Sequence, residues 1–367
     1  ATGSNSIGIG YRALQNLTDH NNVAVGNGAM QLATTAEFDV AIGNEAMYSV
    51  TSSHFSTAVG RRCLYRLTTG GNNTAMGQGC AQHITTGSLN TAMGGDALQQ
   101  CTTASSNVAI GRVALAACTT GAGNVAVGKD SAVSLTTGAN NVVIGTDAMQ
   151  AATAVNKCVI IGEGAMFTHT GTGDEQNVYV GYQAGYFGTT AYSNVMIGGR
   201  CGLNITTANN STFVGKGAGG GHQSGSYNIC LGTEAAPSSV SVGNQCTLGD
   251  SNINNLRCND TSISSLSDER DKTEIIDLPI GLDFINGLKP RKFKWATRDG
   301  NIKDGKYRAG FIAQELQTLE SSTSVDYLDL VLDDNPDKLE ATEGHLLPVI
   351  IKAIQELSAK VTALEAA

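Results

Sequence analysis

The sequence predicts a mainly β protein: a β-solenoid or β-roll of about 14 coils, then a short β neck, then a smaller α+β domain that ends in a helix. Three observations predict it. First, an apolar-small-apolar-Gly motif recurs from residue 5 to residue 236, its glycines running from Gly10 to Gly232 at a spacing of 17 with one gap of 16 and one of 19. That period is too short for a helix pair and fits one coil of two short strands and two turns. Second, charge changes abruptly, since residues 1–265 hold 10 Lys/Arg and 13 Asp/Glu while residues 266–367 hold 13 and 19. Third, apolar residues near the C-terminus fall at alternating spacings of three and four, the mark of one helical face.

The motif strands are apolar at successive positions, as in Val23-Ala24-Val25, Val108-Ala109-Ile110 and Val142-Val143-Ile144. Such strands are expected to be buried on both faces. One face can be covered by the chain's own coil. The other needs a second surface, and three-fold association about a fibre axis supplies it most simply. The middle position is Ala in seven successive copies from Ala24 to Ala126, which reads as the place where chains approach closely. It then grows, at Val143, Ile160, Tyr179, Met196 and Phe213, while the position four residues after Gly shrinks from Leu14, Met30, Met47 and Leu64 to Gly185, Gly202 and Gly219. A close-packed interior conserves volume. The two columns are therefore expected to share a pocket, with Tyr179 over Gly185, Met196 near Gly202 and Phe213 near Gly219.

The remaining columns read as turns. Asn, Asp or Ser stands four residues before most glycines (Asn22, Asp39, Ser56, Asn73, Asn90), where a short polar side chain bonds the turn backbone or stacks as a ladder. Thr-Thr-Gly or a variant follows each glycine by eight to ten residues. Two residues after Gly lies a variable, exposed column in which Glu45 and Arg62 fall on neighbouring coils and can pair. Asp130 and Asp147 are neighbours too, but no third acid or aromatic platform accompanies them, as a cation site or a glycosidase pair would require. Phe167, His169, Asp174 and Glu175 lie in the 19-residue coil, where a bulge is expected to emerge as a loop and to offer a receptor-binding surface.

Composition limits function. The chain has 367 residues, a net charge of −9 and 45 glycines without a Gly-X-Y period. With no basic stripe it is not expected to bind nucleic acid. No apolar run reaches the length of a membrane span, so no membrane insertion is expected. Nine cysteines without a Cys-x-x-Cys pair argue against a disulfide framework and a structural zinc site, and Cys63, Cys80 and Cys201 read as small buried hydrophobes. No metal or cofactor is expected. Since the repeats begin at once, the chain is expected to be the distal piece of a longer polypeptide.

After Pro237 the repeat decays into a polar stretch with spaced apolar residues. The expected limits are a repetitive shaft or head at 1–238, an intertwined β neck at 239–266 and a globular domain at 267–367. Its terminal helix spans 346–365. Leu347, Ile350, Ile354, Leu357, Val361 and Leu364 form a coiled-coil seam on that helix, one that does not by itself choose between two and three strands.

Two resemblances sharpen this reading. The repeat, with its Asn-x-Ala-Val-Gly core, resembles the head repeats of YadA-like trimeric adhesins, although its period is longer than is usual there. Residues 266–367 resemble the intramolecular chaperone of endosialidase family in several motifs in order: Ser267-Asp-Glu-Arg-Asp-Lys272, Pro290-Arg-Lys-Phe-Lys-Trp295, Gly310-Phe-Ile-Ala-Gln-Glu-Leu316 and the terminal helix. That resemblance implies a domain that trimerises a fibre, guides its folding and cuts itself away. It places the cut at Leu266–Ser267, with Ser267 as nucleophile and Lys272 as general base. Lysine can act so when desolvation or nearby cations depress its pKa. Arg270 is expected to help and Asp268 and Asp271 to oppose it, while Gln314 and Glu315 on an earlier helix are supporting candidates.

The expected function is that of a distal viral tail fibre or spike. It would be a homotrimer made in the host cytoplasm that acts extracellularly on the virion, binding a host-surface glycan or protein. Cutting by Ser267 and Lys272 would be a single-turnover event. The alternatives are a bacterial trimeric adhesin head, which expects a C-terminal membrane-anchoring barrel, and a polysaccharide-degrading tailspike, which expects clustered acids and aromatics in a groove.

Overall fold

A computed structural model describes residues 5–253, 256–257, 267–296 and 305–367. Two compact units divide the chain, Ala1–Asp250 and Ser251–Ala367.

In the first unit a parallel sheet of 15 three-residue strands runs from Ile7–Ile9 to Cys246–Leu248, one strand per coil. Neighbours pair in register, as Val23↔Val40, Ala24↔Ala41 and Val25↔Ile42. The sheet continues past residue 238, because Cys246–Leu248 pairs with Ile229–Leu231 as a further coil. Each coil holds one strand of this sheet where two strands per coil were expected. The reason is backbone: the second and fourth residues after the motif glycine adopt left-handed conformations, with φ of 58° at Arg12, 52° at Leu14, 56° at Glu45 and 49° at Met47. Left-handed residues cannot continue an extended strand. Stacking persists through these turns all the same, with Leu64 N donating to Cys80 O at 3.0 Å and Leu98 N to Ala114 O at 2.9 Å.

At the strand end the motif glycine is required. Gly43 has φ +139°, and a Cβ there would sit 2.6 Å from the carbonyl carbon of Gly60 in the next coil. Only glycine permits both the backbone angle and the approach.

The middle strand position points into the coil, so the expectation for the alanine column is corrected. Ala24, Ala41, Ala58, Ala75, Ala92, Ala109 and Ala126 are buried within their own chain. Beside five of them Met30, Met47, Leu64, Leu98 and Leu115, four residues after their glycines, fill the same lumen, whereas Ala75 and Ala126 stand beside Ala81 and Ala132. The outward columns are the flanking ones, half-buried or exposed along the whole sheet: Val23 and Val25, Thr74 and Met76, Ile229 and Leu231. The expected exchange of volume is borne out. A Cβ on Gly185 would overlap the Tyr179 ring, one on Gly202 would overlap Met196, and one on Gly219 would overlap Phe213.

The polar columns form ladders. Asn107 Nδ2 donates to Gly121 O at 2.9 Å while its Oδ1 accepts from Asn124 N at 2.9 Å, and Asn90, Asn124 and Asn141 repeat the pattern. Threonine hydroxyls climb beside them, Thr68 to Thr85 O at 2.9 Å and Thr85 to Thr102 O at 3.1 Å. Every buried polar group in these columns thereby finds a partner one coil away, as burial demands. Cys63, Cys80 and Cys201 are buried free thiols, as expected of small core residues.

Among its described residues the second unit holds three α-helices, α1 (Leu282–Gly287), α2 (Ala313–Thr323) and α3 (Leu347–Glu365). Two antiparallel pairs accompany them, Arg291–Phe293 with Arg308–Gly310 and Val331–Leu332 with Glu340–Ala341. Phe284, Leu316, Leu328, Leu330, Leu346 and Val349 make its core. Helix α1 begins at Gly281, which lacks a side-chain cap, and Glu356 of α3 supplies one by accepting from Leu282 N at 2.8 Å. A second face of α3 carries Leu347, Ile350, Ile354, Leu357, Val361 and Leu364, the residues of the expected seam, all exposed. No helix among the described residues is long and apolar enough to cross a membrane.

Candidate active site

Ser267 and Lys272 meet because the chain turns once between them. Asp268 is extended (φ −69°, ψ 135°) and caps a three-residue 3-10 turn, Glu269–Asp271, by accepting from Arg270 N at 2.9 Å. Asp271 N donates to Asp268 O at 3.2 Å and Lys272 N to Glu269 O at 3.1 Å, closing the turn. Lys272 Nζ then donates to Ser267 Oγ at 2.6 Å and lies 3.4 Å from Ser267 O. At this distance a neutral amine accepts a hydroxyl proton, which is the reach a nucleophile and its base require. Leu266, the other side of the expected cut, lies outside the described residues.

Arg270 is paired with Asp268. Its guanidinium grips Asp268 twice, Nε to Oδ1 at 2.9 Å and NH2 to Oδ2 at 2.6 Å, which holds the Asp268 carboxyl below the usual range and raises Arg270. A cation so paired is a weak lever on a neighbouring lysine. The described residues do not desolvate the pair, because every residue from Ser267 to Asp277 is exposed. Glu315 pairs with Arg291, Nε to Oε2 at 2.9 Å, and that guanidinium holds its carboxyl down. Gln314 lines a cavity with Phe293, Trp295, Arg308, Phe311 and Lys338. The contact with Ser267 is thus made by Lys272, while Glu315 braces α2 against the strand at Arg291.

The 19-residue coil differs from the loop expected there. Within it Thr172–Asp174 pairs in parallel with Ala154–Asn156 of the preceding coil. His169 and Glu175 are turned inward and buried, Nε2 to Oε2 at 2.5 Å, with Asn177 Nδ2 donating to the same carboxylate at 3.3 Å. Neither side chain can be displayed to a receptor. Phe167 stacks on Tyr186 at 4.8 Å, and Asp174 is exposed and paired with Lys157. Among the surface acids, Asp130 pairs with Lys129 at 2.8 Å, and Glu45 accepts from Arg62 at 2.7 Å as expected. No group of three or more His, Cys, Asp or Glu among the described residues is placed to hold a metal ion.

A family model begins on the serine of this turn. Residues 267–323 match the chaperone of endosialidase. The segment is a chaperone of endosialidase domain. It takes in the turn, α1, the strand pair at Arg291–Phe293 and α2, and a β-solenoid of about 14 coils with a 17-residue period precedes it. No curated protein matches the chain. The capping role of Asp268 and the left-handed turns at Leu14 and Met47 escaped sequence reasoning. Asp at the head of a short polar turn was the available signal for the first; Leu and Met carry none for the second.

Proposed function

We propose that the chain is the distal part of a viral tail fibre or spike, a homotrimer whose shaft attaches to a host-surface glycan or protein and whose C-terminal chaperone directs trimerisation and then cuts itself off at Leu266–Ser267. The observation that carries this reading is the 2.6 Å contact of Lys272 Nζ with Ser267 Oγ at the first residues of the chaperone match.

The chemistry follows from the position of the serine. Ser267 Oγ attacks the Leu266 carbonyl carbon, the C–N bond breaks and a C–O ester forms. The hydroxyl proton passes through neutral Lys272 to the departing Ser267 nitrogen, and water then hydrolyses the ester. Sister chains would supply the desolvation that the exposed turn lacks, so cutting would report completed assembly. Two surfaces support a trimer: the outward apolar columns of the sheet, roughly 70 Å long at strand spacing, and the exposed seam of α3. A neck would join the shaft to the chaperone beginning at Ser267. Long parallel β structure folds slowly, and nucleation from the C-terminus shortens the register search.

The test is Ser267→Ala against wild type on a denaturing gel with mass analysis. Fragments ending at Leu266 and starting at Ser267, absent from the variant, are expected. A wild-type trimer that stays whole would overturn the cutting.

A further inference from the structure

The turn that brings Lys272 to Ser267 has little else to hold it. It spans three residues, lies wholly in solvent and buries none of them. A single turn of this kind is marginal in water, because fixing its backbone angles costs more than one hydrogen bond returns. Beside its two backbone hydrogen bonds and the Lys272–Ser267 contact, the side chain that braces it among the described residues is that of Asp268. Asp268 Oδ1 accepts from Arg270 N, satisfying a donor that the turn leaves free, and the same carboxylate grips the Arg270 guanidinium, tying the first residue of the turn to its middle. With Asp268 in place, Lys272 N reaches Glu269 O and the ammonium falls on Ser267 Oγ.

We infer that Asp268 is a positioning residue for self-cleavage: its side-chain oxygen on Arg270 N holds the turn in the one conformation that sets Lys272 against Ser267. The inference rests on the cutting reaction proposed above and assigns Asp268 a part that charge alone would not give it. As a bare anion near the base it would oppose the reaction; as a cap it enables it.

Capping, not charge, decides which substitutions are tolerated. Asp268→Asn keeps an oxygen for Arg270 N and gives up the ion pair; Asp268→Ala gives up both. Losing a cap lowers the closed population about fivefold. Assembled trimers of wild type and both variants are compared for the rate of appearance of the fragment starting at Ser267. Asp268→Ala is expected to cut about fivefold more slowly or worse, and Asp268→Asn within about twofold of wild type. A second readout does not depend on cutting: in the whole Ser267→Ala protein the Arg270 amide should exchange with solvent more slowly than in Ser267→Ala with Asp268→Ala. Equal rates for Asp268→Ala and wild type overturn the assignment. So does an Asn variant as slow as the Ala variant, which would give the role to the ion pair. If wild type cuts and these results fail, the positioning fails alone; if wild type stays whole, the reaction falls and the assignment with it.

Discussion

The Tyr179 ring occupies the space that a side chain at Gly185 would take, while nine coils towards the N-terminus Ala24 leaves the same space to Met30. One lumen is filled in two ways. The fill can therefore be exchanged. Tyr179→Ala alone leaves a cavity and should cost about 3–5 kcal/mol. Gly185→Met alone forces two large groups together. The double substitution restores the Ala–Met arrangement of the N-terminal coils, whose Met30 has φ 49° against 60° at Gly185, so the backbone already suits it. Denaturant unfolding should show the double variant more stable than either single one; additive losses would show that the two columns do not share a pocket.

Asp39 makes one coil sensitive to pH. It stands where other coils have Asn, and its carboxylate accepts from Ser53 Oγ and Ser56 N, both at 2.7 Å. Burial nevertheless pushes its pKa up from 3.8 to about 6. The folded state thus binds this proton more tightly than the unfolded chain. The stabilisation is fully present below about pH 4 and is lost as pH rises through 6, a swing of about 3 kcal/mol. Asp39→Asn removes the titration and provides an amide to donate to Ser53 O as the other rungs do. The gap in Tm between variant and wild type should open from pH 4 to pH 7 in favour of the variant. A constant gap would place the Asp39 carboxyl in contact with water.

Thiol reactivity reads the same interior. Burial pushes Cys158 up to about 12 and Cys230 up to about 11, and Cys63, Cys80, Cys101, Cys118 and Cys201 are buried with them, whereas Cys246 at the end of the sheet is exposed. The thiolate is the reactive form. Leaving Cys258 aside, an aromatic disulfide reagent at pH 8 should label Cys246 within minutes and reach the seven buried thiols only in denaturant. Rapid labelling of Cys158 or Cys63 in the native protein would show that the coils open.

How much of this was legible from the residues follows from what kind of force acts on each. The period, the Tyr179–Gly185 exchange and the Glu45–Arg62 pair were visible because coil stacking repeats the same neighbours every 17 residues. The direction of the alanine column was not, since an apolar-Ala-apolar strand reads the same from either face; only the left-handed backbone at Leu14 and Met47 turns those side chains into the lumen under it. The inward turn of His169 and Glu175 was hidden for a different reason. The two side chains lie against each other six residues apart, beside a strand that the repeat did not announce. At the Glu269–Asp271 turn the pairing of Ser267 with Lys272 was legible through a family resemblance, their spacing alone being a weak signal. The cap was not, because Asp268 was weighed as a charge and not as a hydrogen-bond acceptor.

Assembly can be separated from folding on α3. Val349 is fully buried in the core of the second unit, and Ile354, five residues on, is 61% exposed on the seam with Leu357 and Val361. Val349→Asp should unfold this unit, as burial of an unpaired charge does. Ile354→Asp changes an exposed position; it places a carboxylate on the expected seam, and three copies would face one another about the axis of a trimer. Sedimentation should give a trimer for wild type and a folded monomer for Ile354→Asp, with far-UV circular dichroism of the helices retained. Cutting at Leu266–Ser267 should be lost with the trimer, since the exposed turn then has no sister chain to cover it. A monomeric Ile354→Asp protein that still cuts would disconnect the dyad from assembly, and a trimeric one would move the interface off this helix.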